Sequence, residues 1–261
     1  MEEFNPALEQ GKQAFEKGDW SAAIRLLRKA LSEAPRSAEV HLLLGEALAE
    51  FGRVEEAIAV LKEGVDVAEE DIELRFALGD RYFEAGQLDE ALSCYQAILH
   101  LNVEEVEARI SIGLVYFHRG ESDRAEGCYR AALETDPGNA FALKCLGEVH
   151  ASRGEMEQAM ACYRQALEQD PEDAGIHLNL AESFYDGGDL GAAQKECREA
   201  IRLDPELAEA YLTLGNICLD LDEARDALRN YEKFLACEHS PAAREIREEV
   251  AALIEGLKEE L

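Results

Sequence analysis

The side chains able to do chemistry are plentiful here but scattered. Six histidines, seven cysteines and 56 carboxylates could ligate a metal, attack a carbonyl or move protons, yet each of those tasks needs partners at set spacings. His41, His100, His118, His150, His177 and His239 fall at unrelated positions, and none sits in a metal-binding or nucleophile motif. His150 occupies the place held by Tyr82, Tyr116 and Phe184 in neighbouring segments, so it reads as a packed histidine. There is no CxxC and no Cys/His pair at zinc spacing, and neither a Walker loop nor GxGxxG occurs. The residues thus predict neither an enzyme nor a site for a cofactor or metal.

What the small residues do instead is repeat. Gly11, Gly45, Gly79, Gly113, Gly147 and Gly215 stand 34 residues apart or at twice that, with Ala181 on the missing rung. Ala23, Ala57, Ala91, Ala125, Ala159, Ala193 and Ala227 form an unbroken second ladder. In the segment from Ala140 to Asp173, Leu143, Leu146 and Gly147 mark one helical face, and Ala159, Tyr163, Ala166 and Leu167 mark another beyond Arg153-Gly154. That is a helical hairpin whose small residues at slots eight and twenty, counted from Ala140, let its helices approach closely. Glycine at slot fifteen (Gly18, Gly52, Gly86, Gly120, Gly154, Gly188) suits a left-handed turn. Proline at slot 32 (Pro35, Pro137, Pro171, Pro205) stops the second helix. A hairpin this short leaves an apolar face that only the next copy can cover, so stacking is obligatory.

With Leu27, Leu61, Tyr95, Tyr129, Tyr163, Cys197 and Tyr231 at slot 24, these features resemble the tetratricopeptide repeat family, of bacterial type. The resemblance implies an all-α, right-handed α-solenoid of seven hairpins over residues 1–241 (about 4–37, 38–71, 72–105, 106–139, 140–173, 174–207 and 208–241), read as one elongated domain. Residues 242–261 read as a C-terminal capping helix, with Ile246, Val250, Leu253, Leu257 and Leu261 as its apolar stripe; dimerisation through that stripe is the alternative. Several departures predict offset or looser joints. Glu69 and Val103 replace proline, Asp222 replaces the turn glycine, and Ile98 and Phe234 replace the small residue at slot 27. Asn5-Pro6 is a competent helix start, and Trp20 is expected at the closed end of the first hairpin.

The net charge is -30, which argues against nucleic acid and anionic membrane as partners. No stretch approaches the eighteen or so apolar residues of a spanning helix, and MEEFNP shows no export signal. Cys94, Cys128 and Cys162 share one slot in successive repeats, roughly 8–10 Å or more apart, beyond disulfide reach. Reduced thiols in a cytoplasmic, mainly monomeric protein are therefore expected.

In this family the first helices line a concave groove through slots two, five, six, nine, twelve and thirteen. Here those slots hold Leu8, Phe15, Leu42, Phe76, Phe83, Ile110, Phe117, Phe141, Leu178, Tyr185 and Leu212. Fourteen acids accompany them, among them Glu39, Glu46, Glu50, Glu73, Asp80, Glu84 and Glu107, against Lys12 and Lys144. The family's clamp for a C-terminal carboxylate is matched only by Lys144 and Asn179, because Glu148, Glu209 and Thr213 replace the rest. The implied function is a non-enzymatic scaffold or adaptor holding a protein or peptide with basic and apolar side chains. The predicted site is Glu39, Leu42, Glu46, Glu50, Glu73, Phe76, Asp80, Phe83, Glu84, Glu107, Ile110 and Phe117. The alternative is a regulatory or substrate-selecting part of an enzyme, or of a secretion or pilus-assembly complex.

Overall fold

The structure, a computed structural model, describes residues 5–260, the side chain of Glu260 excepted; Phe4 and Leu261 lie outside them. The chain divides into two compact units, one ending at Thr135 and the other beginning at Asp136. The first unit contains α1 (Pro6–Glu16) with α2 (Trp20–Glu33), α3 (Ala38–Glu50) with α4 (Val54–Val67), α5 (Ile72–Glu84) with α6 (Leu88–Leu101), and α7 (Val106–His118) with α8 (Ser122–Thr135). The second contains α9 (Ala140–Ser152) with α10 (Met156–Gln169), α11 (Ala174–Asp186) with α12 (Leu190–Leu203), and α13 (Ala208–Asp220) with α14 (Ala224–Cys237). A 3-10 turn, Pro241–Ala243, leads into α15 (Arg244–Glu260). The described residues are all-helical, in consecutive packed pairs, and within each unit the second helix of a pair packs on the first helix of the next.

Several side chains fix where the helices start. Asn5 Oδ1 accepts from the N–H groups of Ala7 and Leu8 at 3.0 Å, with Pro6 in the first turn. Asp71, Asn139 and Asp173 accept in the same way at α5, α9 and α11. Each such cap is worth about 1 kcal/mol. At the hairpin tips the six slot-fifteen glycines have φ between 69° and 79°. Asp222 adopts φ 60° there, and the N–H of Glu223 closes the turn onto the carbonyl of Cys218 at 2.8 Å. The glycine turn of α11 closes equivalently, from Asp189 to Phe184 at 2.9 Å. The expected offset at Asp222 is therefore absent, since an aspartate tolerates the left-handed region.

The alanine ladder is fully buried, at 0 % exposure on every rung. The glycine ladder has a more specific cause than helix proximity. A Cβ at Gly147 would lie 2.4 Å from Tyr163 Cε1, and one at Gly45 2.4 Å from Leu61 Cγ, distances no packed carbon sustains. Slot eight is empty so that the slot-24 side chain can lie across it. Where slot 24 shrinks to a thiol the glycine is replaced: Ala181 shares its hairpin with Cys197, and both are completely buried in one cluster. Ile98 and Phe234, expected to loosen their joints, are buried at 0 % and 2 %.

The joints without proline are held by a different device. At slot four of the next repeat, the Arg75 guanidinium donates to the Glu69 carbonyl through Nε (3.0 Å) and Nη2 (2.5 Å). Arg109 Nη2 donates to the Val103 carbonyl at 2.5 Å, and its Nη1 to Thr135 Oγ1 at 2.9 Å. At two proline joints the slot-four residue does the same more lightly: Tyr211 OH donates to the Pro205 carbonyl at 3.1 Å, and His177 Nε2 stands 3.3 Å from the Pro171 carbonyl.

The C-terminal helix covers the last hairpin with the expected stripe changed at one described position. Val250, Ile254 and Leu257 are buried with Tyr231 and Phe234, and Ile246 packs beside them. Leu253 is 43 % exposed. Successive steps of four, four and three residues keep the stripe on one side at 3.6 residues per turn, so Ile254 and not Leu253 faces α14. Lys258 adds an ion pair to Glu232 at 3.0 Å.

Candidate functional site

The predicted site lies within the first unit, on α3, α5 and α7. Its acids fall into two groups. Glu39 is neutralised by Lys12 at 2.5 Å, Glu84 pairs with Arg81 at 2.8 Å, and Asp80 Oδ1 accepts from Tyr95 OH at 2.7 Å. Glu50 and Glu73 are exposed and have no partner among the described residues. Glu46, half-buried between them, has its carboxyl pushed above the usual range, chiefly by burial and then by Glu73 and Glu50, with Arg81 opposing. Glu107 is exposed and contacts Glu105, whose carboxyl is raised by burial and by that neighbour.

The apolar residues do not all face solvent. Ile110 is buried at 4 % exposure, so it supports the wall and cannot touch a ligand. Leu42, Phe76, Phe83 and Phe117 are half-buried. Phe76 lies tilted against Tyr95 with centroids 6.2 Å apart, and Phe83 meets His118 edge-on at 4.8 Å. Of the outlying groove positions, Leu178 is buried and Phe141 is 49 % exposed.

Sequence reasoning missed a cavity of about 170 Å³ bounded by α5, α6 and α7, lined by Asp80, Phe83, Tyr95, Ser111 and Leu114 with the Arg81–Glu84 pair. Its signal was available: slots nine and twelve of one repeat and six and nine of the next come together across a joint. In the second unit Asn179 Nδ2 donates to Glu148 Oε1 at 3.1 Å, so the one asparagine matching the carboxylate clamp already holds an acid. Three histidines hold local structure. His41 Nδ1 lies 2.8 Å from the Ser37 carbonyl, His150 Nδ1 2.6 Å from Glu155 and His177 Nδ1 2.8 Å from Glu196. Burial pushes the Cys94 thiol up to about 11 and Cys197 to about 12, which keeps both protonated and poorly nucleophilic. Among the described residues no three His, Cys, Asp or Glu side chains converge as metal ligands, and no helix is long and apolar enough to cross a membrane.

Models of the tetratricopeptide repeat match residues 14–79, 76–140 and 174–207, and a TPR repeat model matches residues 147–188. No curated protein matches the sequence. Among solved structures, a tetratricopeptide repeat protein from Parabacteroides merdae ATCC 43184 is similar over 95 % of this chain and 97 % of its own, at 20 % identity and a TM-score of 0.79. MamA is similar over 63 % of this chain and 96 % of its own, at 29 % identity and a TM-score of 0.56. YrrB, described as a TPR protein with an unusual peptide-binding site, covers 70 % of this chain and 95 % of its own, at 19 % identity and a TM-score of 0.50.

Proposed function

The chain belongs to the tetratricopeptide repeat family, whose fold makes it a protein–protein interaction scaffold, and on that premise we propose that α3, α5 and α7 hold a partner segment bearing basic and apolar side chains. The scaffold is non-enzymatic, cytoplasmic and monomeric in this reading. The observation that carries it is the triplet of Glu46, Glu50 and Glu73. Burial raises the Glu46 carboxyl, with Glu73 and Glu50 adding to the effect and Arg81 opposing it, and a cation from a partner placed among the three acids would favour their charged forms. Half-buried Phe76, Phe83 and Phe117 on α5 and α7 offer apolar footing of the kind an exposed helix face seldom keeps unused. A peptide-binding site described for YrrB gives the reading a parallel on the same fold.

Short random peptides displayed on phage and selected against the full chain should carry Lys or Arg alternating with Leu or Phe. Their affinity, followed by fluorescence anisotropy, should fall at least about tenfold in the Glu50→Lys/Glu73→Lys double variant at low salt and less at high salt. Selection of acidic peptides, or unchanged binding by the double variant, would overturn the proposal.

A further inference from the structure

We propose that the cavity bounded by α5, α6 and α7 is a pocket for one lysine side chain of the partner. This deepens the reading of the face as a peptide site and rests on it.

The lining supports one cation of a particular shape. Asp80 and Glu84 are negative and Arg81 positive, so the cavity carries one uncompensated charge. Glu84 is the acid that Arg81 satisfies, at 2.8 Å. No lysine or arginine among the described residues pairs with Asp80; its Oδ1 receives only the Tyr95 hydroxyl, at 2.7 Å, leaving Oδ2 to accept from a ligand. Ser111, half-buried on α7, makes no hydrogen bond through its hydroxyl among the described residues, and the Tyr95 oxygen keeps lone-pair capacity while it donates. Three separate acceptors therefore surround the space: one carboxylate oxygen and two hydroxyls.

An ammonium group, with three rotatable N–H donors on a compact head, suits that arrangement. A guanidinium seeks both oxygens of one carboxylate in a planar fork, and at Asp80 it would have to share one of them with Tyr95. Phe83 and Leu114 supply an apolar wall along which the four-carbon stem of a lysine can lie. The buried Tyr95, 2 % exposed and wedged over Gly79, holds Asp80 in place, so the acceptor is set before any ligand arrives.

The test uses the full chain and small probes, independent of any selected peptide. In an NMR titration, Nα-acetyl-lysine methylamide should shift the amides of Asp80, Ser111 and Leu114 and saturate. The arginine analogue should bind at least about tenfold more weakly, and the norleucine analogue should produce no saturating shift. Asp80→Asn keeps an acceptor for Tyr95, so its melting temperature should match the parent while lysine binding drops at least about tenfold, the range expected for one charge-assisted hydrogen bond. Tyr95→Phe frees the second oxygen, and the arginine analogue should gain on the lysine one. Equal responses to lysine and arginine in the parent, undiminished binding by Asp80→Asn, or shifts spread over the acidic face would each overturn the pocket. Those outcomes leave the wider peptide reading intact if Glu50→Lys/Glu73→Lys still weakens selected peptides. Loss of that dependence alone strikes the wider reading instead.

Discussion

The joints leading into α11 and α13 run through Pro171 and Pro205, whereas those leading into α5 and α7 run through Glu69 and Val103. The backbone barely registers the difference. The residue before each joint has much the same non-helical backbone: Ala68 at φ -135°, ψ 69°, Asn102 at -136°, 102°, Asp170 at -130°, 87° and Asp204 at -128°, 97°. All four stay out of the α region that a following proline disfavours, yet two of the four have no proline to impose it. In its place stand Arg75 and Arg109, which reach back to the carbonyl of the residue where proline is missing. One kind of joint is fixed by covalent restriction of the unfolded chain, the other by charge-assisted hydrogen bonds in the folded one. A slot-four arginine and a slot-32 proline are thus alternative solutions to one geometric requirement.

The comparison can be broken by exchanging the devices and following urea unfolding midpoints. Arg109→Ala should cost most, about 2 kcal/mol, because it strips donors from both the Val103 carbonyl and Thr135. Arg75→Ala, whose bonds all go to one exposed carbonyl, should cost about 1 kcal/mol. Val103→Pro should then restore about 0.4–1 kcal/mol to the Arg109→Ala variant, since Asn102 is already extended and the Val103 N–H forms no backbone hydrogen bond. Destabilisation by Val103→Pro would show that the two devices are not interchangeable. A smaller effect belongs to Glu46. Its folded carboxyl binds a proton more tightly than the unfolded one, so it favours the fold at acid pH, and that contribution is lost as pH rises through the raised value. Glu46→Gln should therefore gain stability at neutral pH and show no advantage at acid pH. A gain that persists in acid would assign the effect to packing.

The ladders of glycine and alanine made the hairpins legible because their spacing is fixed by contacts inside each repeat. Contacts across a joint were not legible in the same way. Arg75, Arg109 and His177 share slot four, but nothing local says that each would answer the residue six positions earlier. In α15 both Leu253 and Ile254 are apolar, and only the direction of the preceding helix decides between them. At the site, position on the first helices told which side chains share a face. It did not tell that Lys12 and Arg81 would consume Glu39 and Glu84, or that Ile110 would turn inward, because those outcomes depend on which neighbour a side chain meets.

The sixth hairpin, with Ala181 beneath Cys197, has no phenol wedged between its helices where its neighbours hold Tyr163 and Tyr231. An aromatic ring contributes more burial than a thiol, so under a stretching force α11 and α12 should part before the hairpins on either side. The expected order of mechanical failure is set by a single rung at which both members of a mated pair are small.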